Sequence, residues 1–273
     1  MKLKVNGLEI NLLVGADPEL FVTNSSRLVS AYDMIPGTKE TPHPVISGAI
    51  QVDGMAVEFN INPANTRSDF VSNIRTVLSE LQTALPRGHK LDPRATADFG
   101  KDYIEAQPFQ AKDLGCEPDY NAYTRSVNIK PDVDTPFRTA SGHVHIGWGQ
   151  GAGGESHDAL CCTVVKWMDV FLGLPSVVMD SDVKRRELYG KAGAYRPKSY
   201  GVEYRVVSNF WLKEDKYIKF VYDAVVKSVS AAMRQDELPK YLEDSIQDVI
   251  NKSKHQEVFG LYREITGGGL RCP

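Results

Sequence analysis

Cysteine is scarce in this chain. Its four cysteines, Cys116, Cys161, Cys162 and Cys272, form no Cys-x-x-Cys pair, so a zinc ribbon or a thioredoxin-type redox motif is excluded. Cys161 and Cys162 are adjacent in an apolar, helix-like run, where neighbouring positions point apart. Buried thiols in a reducing compartment are the expectation. Basic charge is not in excess: the formal net charge is −3 and no basic stripe occurs. That argues against nucleic-acid binding driven by phosphate neutralisation. No apolar run reads as a membrane span. The start, Met1 to Asn6, has neither an apolar h-region nor a small-residue cleavage site. A cytoplasmic protein with no membrane partner is therefore expected. Repeats and low-complexity segments are missing too. The glycine-rich stretch Gly149–Gly154 lacks the Gly-Lys-Ser/Thr ending of a phosphate-binding P-loop.

What the chain does have is a globular composition: 273 residues, 42% hydrophobic and 25% charged. That is enough for one large domain or two small ones, with a core that needs no disulfide or metal to fold. The first half reads as short strands broken by Gly and Pro. One strand is expected from about Leu12 to Val22. A hairpin is expected through Ile50–Val52, turning at Asp53-Gly54 and returning as Met55–Ile61. Ser68 then reads as the N-cap of a helix carrying Val71, Ile74, Leu78, Leu81 and Leu85, ended by Pro86. Residues 90–134 read as irregular, Arg138–Trp148 as a strand, Ser156 to about Phe171 as a helix, and Val202–Leu212 as a strand. Helices are expected at about Glu214–Met233 and Lys240–Lys252. Strands mixed with a few helices, without βαβ alternation, predict an α+β fold with a mainly antiparallel sheet.

Side chains alternate across a strand with period two. On that phase Asp17 and Glu19 share a face. So do Glu58, Asn60 and Asn62, opposite Val57, Phe59 and Ile61. His143 and His145 share another, and Glu203 lies with Arg205. A solvated sheet face is the plain alternative for any one strand. Across four strands, however, the ionisable positions are Asp, Glu, His and one Arg, with no Lys. That is the ligand set of hard divalent cations with imidazole added. If the strands are neighbours, Asp17, Glu19, Asp53, Glu58 and Glu203 gather five negative charges, which would repel unless cations sit among them. Arg beside Glu adds a bidentate grip for phosphate, so the set has the parts of a phosphoryl-transfer site.

Five segments occur in order: Gly15-Ala16-Asp17-Pro18-Glu19, Asp53–Asn60, Ser141-Gly142-His143-Val144-His145, Tyr195-Arg196-Pro197-Lys198 and Val202-Glu203-Tyr204-Arg205. Together they resemble the carboxylate–amine ligases of the glutamine synthetase and glutamate–cysteine ligase superfamily. More narrowly they resemble the COOH–NH2 ligase group of phiEco32-like phages. The resemblance runs from about Gly15 to Leu212. It implies one glutamine-synthetase-like domain over residues 1–273, a curved antiparallel sheet with helices on its apolar face and a metal- and nucleotide-binding polar face.

It also implies ATP with Mg²⁺ or Mn²⁺, and carboxylate and amine substrates that are small molecules or peptides. By position, Asp17, Glu19, Glu58, His143 and Glu203 would be metal ligands. Asp53 would join them, with the first place of a hairpin turn as its competing role. His145 would meet substrate or nucleotide, Arg205 would grip the transferred phosphate, and Arg196 and Lys198 would lie near phosphate and substrate. The segment Gly115–Asn121 resembles the narrower phage group and has no role assigned. The chemistry implied is activation of a carboxylate as an acyl phosphate, followed by attack of an amine. Two other readings stand beside it. One is a zinc hydrolase of the amidohydrolase type, which shares the His-x-His strand but needs later His and Asp ligands. The other is a non-catalytic phage protein on a ligase fold. The acid, the amine and the oligomeric state are left open.

Overall fold

The computed structural model describes residues 1–5, 8–112, 119–128, 135–149 and 155–273. In chain order the first strands are β1 (Lys2–Val5), β2 (Leu8–Asn11), β3 (Leu13–Ala16), β4 (Glu19–Asn24), β5 (Arg27–Val29), β6 (His43–Val45), β7 (Gly48–Asp53) and β8 (Ala56–Ile61). The strand expected from Leu12 to Val22 is thus two strands, β3 and β4, separated at Asp17-Pro18. Pro18 has no N–H for a ladder. The chain leaves one sheet there and enters another, so Asp17 is a corner residue. β7 and β8 form the expected hairpin, but Asp53 pairs with Ala56 and the loop is Gly54-Met55. Gly54 takes φ 58°, a conformation glycine adopts without strain.

The helix α1 (Arg67–Ala84) follows. Its N-cap is Thr66, whose hydroxyl accepts from the Asp69 N–H, not Ser68. Phe70, Ile74, Val77 and Leu81 are its buried stripe; Ile74 and Leu81 are as expected, and Phe70 and Val77 take the places expected for Val71 and Leu78. The stretch read as irregular contains β9 (His89–Asp92), β10 (Thr96–Asp98), α2 (Lys101–Glu105), α3 (Phe109–Lys112) and β11 (Tyr120–Asn121). The strand expected over Arg138–Trp148 also splits, into β12 (Phe137–Thr139) and β13 (Val144–Gly147). Between them Gly142 lets the backbone press against Ser208 and Trp211. A Cβ there would collide with both, and the Trp211 indole donates to the Gly142 carbonyl at 3.1 Å.

Next come α4 (Glu155–Met168) and α5 (Leu174–Met179), joined by a π-helical turn at Asp169–Gly173. The continuous helix Ser156–Met179, 24 residues, is long and apolar enough to cross a membrane. This corrects the expectation that no run is. Most of it is buried inside the protein, so its apolar character serves the core. The remaining elements are α6 (Arg185–Leu188), β14 (Ala194–Lys198), β15 (Gly201–Tyr204), α7 (Asp215–Met233), α8 (Lys240–Asn251) and α9 (His255–Thr266). The expected strand Val202–Leu212 stops at Tyr204, and Asn209–Leu212 turns into a 3-10 helix. The last helix, α9, was not anticipated.

All ladders among the described residues are antiparallel. A five-stranded sheet runs β11-β14-β15-β13-β3, and a six-stranded sheet runs β5-β4-β8-β7-β6 with β9 on β4. Helix α1 packs on β7 and β8, α4 packs on β14 and β15, and α7 packs on both helices. Val57, Phe59, Ile61, Val144, Ile146, Val202 and Tyr204 point into one shared core with Phe70 and Ile74. The opposite phase of the same strands is left to polar residues.

Candidate functional site

Register places the polar residues of the five-stranded sheet in one row. Arg196 stands opposite Glu203, and Glu203 opposite His145. Asp17, at the corner after β3, reaches the same spot: His145 Nε2 lies 3.0 Å from its Oδ1 and His143 Nδ1 3.6 Å. His143 Nδ1 is also 3.5 Å from Glu203 Oε1. Ligand atoms of Asp17, His145 and Glu203 all lie within 4.8 Å of one another, close enough to share a metal ion. Tyr200 fixes His145 from the far side, its hydroxyl 2.5 Å from Nδ1.

A solvated face, the plain alternative for a single strand, does not describe the centre of this row. Glu203 is 1% exposed, His143 5% and Arg205 8%. Burial and the Asp17 charge push the Glu203 carboxyl up, but Arg205, His143 and His145 bring it down to about 2. Burial likewise works against the Asp17 carboxylate, yet His145 and His143 hold it well below the usual range. Burial, aided by Arg205, drops His143 to about 4, so it is a neutral donor at pH 7. Burial also opposes the charged form of His145, but Asp17 raises it.

The six-stranded sheet supplies a second row. Glu19 on β4 stands opposite Glu58 on β8, and Glu58 opposite Gln51 on β7. The Gln51 amide donates to Glu58 at 2.8 Å, and the Ser141 N–H donates to Glu19 at 2.8 Å. Burial first, then the charges of Asp17, Asp53 and Glu19, push the Glu58 carboxyl well above its ordinary value. Burial and Asp53 push Glu19 up to about 7, against the Ser141 N–H, Arg185 and Arg205. Facing carboxylates with raised pKa values are a charge excess that divalent cations would relieve. The donors are mostly carboxylate oxygens, with imidazole at one edge, which suits Mg²⁺ or Mn²⁺ better than zinc.

Opposite these acids stand cations. Lys198 Nζ is 2.9 Å from Glu203 Oε2, Arg196 Nη1 is 3.4 Å from it, and Arg205 pairs closely with Oε1. The two walls meet in a cleft of about 290 Å³ lined by Asp17, Glu19, Asp53, Glu58, His143, Arg196, Lys198 and Arg205 among others. His145 and Glu203 complete the set from behind. All ten sequence-expected residues therefore come together, Asp53 included, although it also flanks the hairpin turn.

Several neighbours were not anticipated. Arg205 Nε reaches Asp119 Oδ2 at 3.4 Å. Asp119 belongs to the segment Gly115–Asn121, of which Gly115–Pro118 lie outside the described residues, as do Cys116 and 150–154. Arg185, fully buried, donates to the Ser141 hydroxyl at 3.0 Å and the Val206 carbonyl at 2.8 Å. Its stretch, Asp180 to Glu187, is rich in charge of both signs. Arg138 also lines the cleft.

Residues 136–266 match the family described as phage phiEco32-like COOH.NH2 ligase-type 2. The match, just under half of the chain, covers the His143, Arg196 and Glu203 segments. It starts after the acidic wall of Asp17, Glu19, Asp53 and Glu58. No curated protein matches the chain. Among solved structures, a bifunctional glutathione synthetase from Pasteurella multocida matches at 12% identity and a TM-score of 0.41. That match covers 94% of this chain and 46% of the other, so this chain spans about half the length of that one.

Proposed function

We propose that this chain is an ATP- and Mg²⁺-dependent carboxylate–amine ligase, a single glutamine-synthetase-like domain that forms an amide through an acyl phosphate. The observation that carries the reading is the polarised cleft. Glu19, Glu58, Asp53 and Asp17 form one wall, and Arg196, Lys198 and Arg205 form the other. Negative residues alone would suit a cation store, and positive ones alone an anion site. Both together in one small cleft suit a metal–polyphosphate substrate.

Asp17, Glu203 and His145 would hold one cation, with His143 beside them. Glu19 and Glu58, with Asp53, would hold another. Such ions neutralise phosphate oxygens and draw charge from the transferred group. In this reading the substrate carboxylate oxygen attacks the γ-phosphorus and ADP leaves. The amine then attacks the acyl carbon, phosphate leaves, and the amine proton passes to water. Arg205 would stabilise the charge on the moving phosphoryl group. At present its guanidinium is held by Glu203 and Asp119, so it is preformed rather than recruited. Lys198 and Arg196 share Glu203 and would turn to phosphate when a cation takes their place there.

The substrates would be a small-molecule or peptide acid and an amine. The test is phosphate release from ATP across a panel of acids, with hydroxylamine as the amine and Mg²⁺ present. Hydroxamate formed in step with phosphate supports the reading. A zinc hydrolase would instead act without ATP, and a non-catalytic protein would do neither.

A further inference from the structure

Tyr200 lies in the turn that joins β14 to β15. It is 39% exposed, yet its hydroxyl is held 2.5 Å from His145 Nδ1. The turn is pinned to β13, because the Trp148 N–H donates to the Tyr200 carbonyl at 3.0 Å. The ring rests on Gly147 of β13, where a Cβ would stand 3.6 Å from Tyr200 Cδ2. A longer side chain at 147 would need the space the ring occupies. From there the phenol reaches back two residues along the strand to the imidazole.

The two histidines of β13 and its approach present different nitrogens. His143 faces Asp17 and Glu203 with Nδ1, and the same atom lies 3.4 Å from Arg205 Nη1. A guanidinium only donates, so that lone pair is already engaged. His145 faces Asp17 with Nε2, at 3.0 Å from Oδ1, and its ligand atom groups with those of Asp17 and Glu203. A neutral imidazole has one N–H and one lone pair. A cation at Nε2 takes the lone pair, so the proton must sit on Nδ1 and needs an acceptor there. The Tyr200 oxygen is in place to be that acceptor.

An acceptor behind a ligating imidazole fixes both its tautomer and its ring plane. We infer that Tyr200 is a positioning residue that turns the His145 Nε2 lone pair onto the cation site shared with Asp17 and Glu203, so that His145, not His143, supplies the nitrogen ligand. The inference rests on the cation site of the proposed function and not on the ligase chemistry.

The test is Mn²⁺ binding to the full chain without nucleotide, followed by electron paramagnetic resonance. Titration reads the affinity, and pulsed spectra read nitrogen coupling to the bound ion. The proteins compared are the wild type, Tyr200→Phe, His145→Gln and His143→Gln. The wild type should bind Mn²⁺ with nitrogen coupling. Tyr200→Phe keeps the ring over Gly147 and loses only the hydroxyl. It should weaken the nitrogen-coupled ion about tenfold or more, the scale for removing a partner behind a metal ligand. An ion without nitrogen coupling, held by Glu19 and Glu58, should keep its affinity. His145→Gln should abolish the coupling and His143→Gln should retain it. Should either Gln variant fail to fold, the Tyr200→Phe titration decides. Unchanged Mn²⁺ affinity in Tyr200→Phe overturns the inference. So does coupling that survives in His145→Gln and disappears in His143→Gln. A wild-type protein that binds no Mn²⁺ overturns it together with the cation site. Coupled Mn²⁺ lost as expected from the variants, in a protein that forms no amide, supports the inference and removes only the ligase reading.

Discussion

Glu19 and Glu58 stand directly opposite one another on neighbouring antiparallel strands, with Asp53 and Asp17 in electrostatic reach. Opposed like charges destabilise a strand pair. The pair of strands β4 and β8 nevertheless keeps both, and β8 buries Val57, Phe59 and Ile61 on its other face. Bound protons or cations relieve such repulsion, and this relationship makes the first prediction.

Glu58→Gln removes one of the facing charges while keeping the hydrogen bond to Gln51 possible. The metal-free variant should melt higher than the wild type. Mg²⁺ or Mn²⁺ should raise the wild-type melting temperature by several degrees and the variant's hardly at all. A calorimetric scan with and without metal checks this. A variant that is less stable without metal and equally stabilised by it would reduce Glu58 to a structural acid.

The metal-free protein should lose stability as pH rises from about 4.5 to 7. Glu19, at about 7, and Glu58, well above its ordinary value, bind protons in the folded state that the unfolded chain releases. Stability from such raised groups is present at low pH and lost on the way up. The raised His145 and the buried Asp169, also at about 7, act in the same direction. His143, lowered to about 4, opposes them over part of this window. Melting curves between pH 5 and pH 7.5 in chelator test the sign, and Mg²⁺ should flatten the slope.

Asp169 should matter to stability without touching the cleft. It is fully buried in the π-helical turn. One oxygen accepts from the Tyr204 hydroxyl at 2.6 Å, and the other from the Tyr123 hydroxyl at 2.9 Å and the Gly193 N–H at 2.6 Å. Asn replaces the second oxygen with a donor and orphans two groups, at about 1–3 kcal/mol each. Asp169→Asn should therefore lower urea stability by several kcal/mol. A change below about 1 kcal/mol would mean that the neighbours repack.

Arg205→Lys separates catalysis from structure. Because Arg205 is buried against Glu203 and Asp119, an Ala variant would leave buried charges unpaired, at about 3–5 kcal/mol. Its loss of activity would decide nothing. Lys keeps the charge. Turnover should still fall about 10²–10³-fold, the scale for a preorganised transition-state contact, with the Michaelis constant for ATP little changed. Steady-state kinetics of the folded variant are the check, and a defect confined to ATP affinity would remove the phosphoryl-transfer role.

Much of this site was legible because strand phase is a local property. Val57 and Phe59 against Glu58, or Val144 and Ile146 against His145, declare their faces from neighbours two residues away. The hairpin at Asp53 and the helices α7 and α8 were readable for the same reason. What failed was long-range. The chain turns from one sheet to the other at Asp17-Pro18, and nothing local says that two sheets, rather than one, converge on the cleft. The breaks after Thr139 and Tyr204 depend on Gly142 pressing on Ser208 and Trp211, a tertiary contact. The sequence did not single out Arg138 or Arg185, since burial of a charge is decided by partners far away in sequence. Asp119 could be flagged only by its resemblance segment, and its partner Arg205 lies 86 residues on.

The account's central claim is that a carboxylate is activated by phosphorylation in this cleft. Oxygen transfer tests it most directly. With an acid substrate labelled with ¹⁸O in its carboxylate, together with ATP, Mg²⁺ and an amine, mass spectrometry of the released phosphate reads the path. The account predicts one ¹⁸O per phosphate released, because the acyl–oxygen bond breaks after the carboxylate oxygen has joined phosphorus. Phosphate released in step with amide but carrying no ¹⁸O would contradict it.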